Sequence, residues 1–125
     1  MAVVMWYDCC CTEAGVIRKL YLDMLIPKLA AHQKLILVPG TFADGNRQRS
    51  GSLAAQDNVI AQKLEAYFQW MQEDERVVGL NAYHWLNEGK ANDSGWVPPG
   101  DAWLGEGLMS LPQTQALLAK ITAIK

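Results

Sequence analysis

Leu35-Ile36-Leu37-Val38-Pro39-Gly40 is the stretch on which the fold turns: four consecutive apolar residues closed by Pro39 and Gly40. A strand with one wet face alternates apolar and polar side chains, whereas a continuous apolar run suits a strand buried on both faces, as in parallel sheets. Upstream, Val3, Val4, Met5, Trp6 and Tyr7 form a run of the same kind that stops at Asp8. Downstream, Val77-Val78-Gly79-Leu80-Asn81-Ala82-Tyr83-His84-Trp85 is a third, with polar side chains only towards its end.

Helical patterns fill the gaps between these runs. Thr12 is an N-cap candidate with Glu13 in the first turn, and Ile17, Leu20, Tyr21, Met24 and Leu25 make one stripe before Pro27, which should kink or end the helix. Residues 41–52, rich in Gly, Asp, Asn, Arg and Ser, are expected to form a long loop. Ile60, Leu64, Tyr67, Phe68 and Met71 then recur at helical spacing, up to the acidic turn Glu73-Asp74-Glu75. Residues 87–109 gather Gly, Pro and Trp into an irregular excursion. A last helix is expected from Ser110, with Pro112 in its first turn, Gln113 in the capping-box position, and Leu117, Leu118, Ile121 and Ile124 on its apolar side.

The order is strand, helix, strand, helix, strand, helix. This predicts an α/β fold of three consecutive parallel βα units in a single domain over residues 1–125. Two architectures satisfy the pattern, a closed (β/α)8 barrel and a small open α/β sheet of two or three layers; both place function at the C-terminal ends of the strands. The only glycine-rich loop, Pro39-Gly40-Thr41-Phe42-Ala43-Asp44-Gly45, has neither the dinucleotide nor the P-loop spacing.

Composition excludes several classes of partner. A chain of 125 residues, half of them hydrophobic, can bury a core, and a net charge of −2 with scattered Lys and Arg gives nucleic acid no basic surface. No apolar run approaches the ~20 residues that span a bilayer, and the first residues lack the basic segment of a secretory signal. Cys9, Cys10 and Cys11 are contiguous and odd in number, so they cannot staple distant segments; reduced thiols and a cytoplasmic setting are the expectation. With only His32 and His84 to join them, a metal site is not expected, and neither is a cofactor.

The candidate site residues follow from strand-end position. Asp8 stands at the end of the first run beside Trp6 and Tyr7, either as a partly desolvated acid or as the start of the next turn. Asp44, Asn46 and Arg47 offer an acceptor, an amide and a bidentate donor, or simply a surface turn. Asn81, Tyr83 and Trp85 share one side of the third strand by alternation, with flat aromatic faces suited to a sugar ring or to core packing. Glu88 is a further carboxylate in range. Trp96 and Trp103 either wall a strand-end cleft or anchor their loop.

Taken together, Leu35 to Phe42, the helix ending in Asp74-Glu75-Arg76, the run from Val77 to Leu80 with Tyr83-His84-Trp85, and Gly107-Leu108-Met109-Ser110-Leu111-Pro112 resemble the last third of a glycoside-hydrolase-type (β/α)8 barrel. The resemblance implies that the three strands match the sixth to eighth of such a barrel, with the aromatic end of the last strand contributing to a sugar-binding floor. It also implies two catalytic carboxylates, one after the fourth strand and one at the end of the seventh. The stretch matching the seventh strand reads Val38-Pro39-Gly40-Thr41-Phe42 and has no acid before Asp44, while the fourth-strand position would precede Met1. Glycoside hydrolysis needs a pair of carboxyl groups. The expectation is therefore a carbohydrate-active portion that is not catalytically complete alone, with a carbohydrate or other small molecule as ligand. The alternative is a non-catalytic barrel fragment or small α/β domain that binds a sugar or a partner. Bare edges of a three-stranded parallel sheet favour self-association or pairing with a missing N-terminal barrel half.

Overall fold

The computed structural model describes residues 14–44, 50–83, 105–106 and 108–123. The expected first strand, 3–7, and the cap at Thr12 lie outside them. The chain runs through helix α1 (Ala14–Leu20), a π-helical turn (Tyr21–Leu25) and a 3-10 turn (Ile26–Lys28) to strand β1 (Leu35–Leu37) and the two-residue strand β2 (Ala43–Asp44). Helix α2 (Leu53–Glu73) leads to β3 (Val77–Leu80), β4 (Gly105–Glu106), a 3-10 turn (Leu108–Ser110) and helix α3 (Pro112–Ala123).

β1 and β3 pair in parallel, with Leu35 opposite Val77 and Leu37 opposite Leu80, and the register slips by one residue between Leu35 and Ile36. The parallel α/β character expected from the continuous apolar runs is therefore present. β2 pairs antiparallel with β4, so the stretches expected to be wholly irregular, 41–52 and 87–109, contain a two-residue ladder joining them. Short as it is, this ladder holds Ala43 fully buried against Ile60 and Leu111.

α2 is the crossover between the parallel strands. Ser52 caps it, its hydroxyl accepting from the Ala55 N–H at 3.2 Å, and Gly51 before the cap takes a φ of +85°, a left-handed conformation that costs Gly least. Its buried face, Ile60, Leu64, Tyr67 and Trp70, differs from the expected stripe in one respect. Trp70 is 2 % exposed, while Phe68 and Met71 are half-buried. The indole lies edge-on to Tyr21 at 4.8 Å and tilted against Tyr67 at 5.7 Å. With Ile17, Leu35, Leu37 and Val77 these rings make the main core. α1 and α2 therefore both pack on the sheet face that carries Leu35, Leu37 and Val77. On the other face Ile36 is half-buried, Val78 is 53 % exposed, and Gly79 lies against the Ile36 side chain.

Pro27 has no N–H to give the Asp23 carbonyl, so the α-helical ladder cannot continue through it. The chain leaves instead through the π turn, in which the Ile26 N–H reaches back to the Tyr21 carbonyl, and then the 3-10 turn. This breaks the expected single stripe. Ile17 and Tyr21 are buried, whereas Met24 is 54 % exposed.

α3 starts at Pro112, two residues later than expected, and its first turn is capped from another helix. The Asp57 carboxylate, 1 % exposed, accepts from the Gln113 N–H at 2.8 Å, the Thr114 N–H at 3.0 Å and the Thr114 hydroxyl at 2.7 Å. These are donors that the start of a helix leaves unpaired, and the helix dipole adds to the attraction for an anion there. Bonds to a charged acceptor contribute about 1.5–3 kcal/mol each when buried, less the cost of desolvating the carboxylate. Asp57→Ala should cost about 2–4 kcal/mol in urea unfolding, with Asp57→Asn intermediate and the exposed Asn58→Ala within about 0.5 kcal/mol of the parent.

At the opposite end of the sheet, Asp74 closes the turn from α2 into β3. It accepts from the Arg76 backbone N–H at 3.0 Å, Arg76 Nε at 3.1 Å and the Tyr21 hydroxyl at 3.0 Å. Burial alone would raise the Asp74 pKa, but the bonds from Arg76 and Tyr21 outweigh it, and the carboxyl titrates below its ordinary range. Burial, then the bond to Asp74 and its negative charge, push the Tyr21 hydroxyl up to about 12. The signs follow by linkage. A depressed acid contributes stability above its unfolded value of 3.8 that is lost as pH falls through the folded value. A raised phenol contributes stability below its unfolded value of 10.0 that is lost on the way to about 12. Denaturant midpoints against pH should show the gap between parent and Asp74→Asn narrowing below pH 3.8, and the gap between parent and Tyr21→Phe narrowing between pH 10.0 and about 12.

Candidate functional site

The parallel ladder continues past the named strands. The Asn81 N–H donates to the Leu37 carbonyl at 2.8 Å, the Tyr83 N–H to the Pro39 carbonyl at 3.0 Å, and the Thr41 N–H to the Tyr83 carbonyl. An isolated parallel bridge, Gly40 to Tyr83, closes the pair. Pro39 can sit here because its carbonyl accepts and no donor is asked of its nitrogen. Residues 39–41 are buried, so the two strand ends leave the sheet held side by side, and the 41–44 and 81–83 segments begin next to one another.

Of the expected site residues, this convergence includes Asn81, Tyr83 and the backbone of Asp44. Asn81 is exposed at the rim, its side chain available to solvent and its backbone N–H committed to β1. Tyr83 is half-buried, with both backbone groups tied to the opposite strand end. Asp44 lies in β2 opposite Gly105. Trp6, Tyr7, Asp8, Asn46, Arg47, Trp85, Glu88, Trp96 and Trp103 lie outside the described residues, and so does His84.

Thr41 was not among the residues expected to matter. It is fully buried just beyond the end of β1, and among the described residues its hydroxyl has no hydrogen-bond partner. Its signal in the sequence is a polar residue directly after the Pro-Gly that stops an apolar strand. Asp57 was missed as well, although it stands three residues before Ile60 and so falls on the apolar stripe of α2. Both of its oxygens are taken up by α3, which makes it a structural anion rather than a free acid. Among the described residues the groups with displaced pKa values, Tyr21, Asp74 and Arg76, sit by the start of β3, at the end of the sheet away from this convergence. Among the described residues no cluster of three or more His, Cys, Asp or Glu stands ready to hold a metal ion, and no helix is long and apolar enough to cross a membrane.

A buried hydroxyl without a partner costs about 1–3 kcal/mol of desolvation. Thr41→Val, which keeps the shape and removes the orphaned group, should leave the unfolding free energy unchanged or raise it by up to about 1 kcal/mol, and Thr41→Ser should lower it through the lost methyl. A loss above about 1 kcal/mol in the valine variant would mean that the hydroxyl is satisfied in solution. No protein-family model, no curated protein and no solved structure matches this chain.

Proposed function

We propose that this chain is a carbohydrate-binding portion of a glycoside-hydrolase-like (β/α)8 barrel, its ligand seated at the ends of β1 and β3, and that it is not catalytically complete alone. One observation supports the reading more than any other: α1 and α2 both cover the same face of the parallel pair. A doubly wound sheet carries helices on both faces, whereas a barrel carries them outside and turns its other face, here that of Ile36 and Val78, towards a closed interior. The start of α3 lies against the first turns of α2, as expected for successive units whose helices all begin at the strand-end side. Further βα units or a second copy would cover the Ile36 and Val78 face.

The ligand chemistry rests on what the strand ends present. Asn81 supplies an exposed amide that can donate to and accept from hydroxyl groups, and Tyr83 a ring with a polar edge. Neither is an acid, and hydrolysis of a glycosidic bond calls for two carboxyl groups. Binding is the function these residues can perform by themselves.

Amide chemical-shift mapping with a panel of mono- and oligosaccharides tests this directly. Shifts should concentrate in 39–44 and 81–83, Asn81→Ala should weaken binding about tenfold, and no reducing sugar should be released by the chain alone. Shifts confined to other segments, or none with any sugar, would refute the reading.

A further inference from the structure

On the helix side of the sheet, beside β1, a cavity of about 230 Å³ lies between the π turn, β1 and α2. Its walls are apolar: Leu20, Met24 and Leu25 on one side, Leu35 and Leu37 below, and Trp70 behind. Protein cores leave few voids larger than a water molecule, and an apolar cavity of about 150 Å³ already admits benzene. This one has room for roughly ten ligand heavy atoms.

Two features indicate what enters it. Among the described residues Lys28 is the one charged side chain lining the cavity; it is exposed and has no ion-pair partner among them, whereas Arg18, Lys19 and Arg76 are paired with Glu73, Asp23 and Asp74. Its aliphatic stem can extend the apolar wall while its ammonium group meets an anion at the mouth. The second feature is the π turn itself, an uncommon conformation that recurs at functional sites. It supplies Met24 and Leu25 to the wall, and Met24, 54 % exposed and flexible, can adapt to a ligand's outline.

We propose that this cavity binds a small monocarboxylate with a hydrocarbon body, its chain held between the π turn and β1 and its carboxylate on Lys28 Nζ. The cavity opens on the helix side of the sheet, with Leu37 and Val38 at the end of β1 in its wall, and it does not depend on the barrel reading. Calorimetric titration of the full chain with octanoate and with 1-octanol tests it. Octanoate should bind at one saturable site. Lys28→Glu should weaken octanoate at least about fivefold while leaving octanol within about twofold. Leu20→Phe, which fills the cavity, should weaken both ligands; should that variant fail to fold, the Lys28→Glu comparison decides alone. The proposal is overturned if octanoate does not bind the folded chain or binds Lys28→Glu as tightly as the parent. It is also overturned if the cavity is instead the seat of a second copy, seen as a concentration-dependent dimer that Met24→Glu dissociates and octanoate leaves intact.

Discussion

β1 and β3 run parallel, so the chain leaving β1 beyond Leu37 must travel back the length of the sheet before Val77 can pair with Leu35. A hairpin cannot make that return. α2 makes it with 21 residues, roughly 30 Å of helix, and its two halves do different work. The C-terminal half lays Tyr67 and Trp70 against Leu35, Leu37, Val77 and Tyr21, which is the main core. The N-terminal half carries Ile60 to Ala43 and Leu111, and Asp57 to the start of α3.

The two ends of the sheet are consequently held by different forces. At the beginning of the strands, Asp74 gathers Arg76 and Tyr21 into a hydrogen-bonded turn, and Arg18 stands 5.8 Å over the Trp70 ring while pairing with Glu73. Exposed pairs such as Arg18 with Glu73 contribute little; the partly buried Asp74 network is the firmer clamp. At the far end the backbone itself does the work, through the bonds from Asn81, Tyr83 and Thr41 that prolong the ladder. Those amides are spent on structure, so what the strand ends can offer a ligand is side-chain chemistry, the amide of Asn81 foremost.

Two polar groups show how burial separates structure from function. Asp57 is as buried as any core leucine, yet its carboxylate has three donors aimed at it, which is how a buried anion is tolerated. The Thr41 hydroxyl is equally buried and has no partner among the described residues. The first is a joint between two helices. The second is a local cost at the strand end, beside the segment where the candidate ligand site begins.

Local pattern determined the elements. The continuous apolar runs at 35–38 and 77–80, which lack the alternation of a strand with one wet face, marked parallel strands, and the Pro39-Gly40 stop and the 60, 64, 67 spacing marked a strand end and a helix face. The position of Asp57 on that face was legible too, but its meaning was not, since the N–H groups it satisfies belong to a helix 57 residues further on. For the same reason local signals favoured Ser110 and Gln113 as the cap of α3, and only the packing of two helices put the cap on Asp57. The full burial of Trp70 beside a Met71 that packs only partly buried against the core, the one-residue slip between β1 and β3, the π turn ahead of Pro27 and the cavity beside it were likewise decided in three dimensions. Each depends on how elements distant in sequence fit against one another, and side-chain spacing along one element carries no record of that fit.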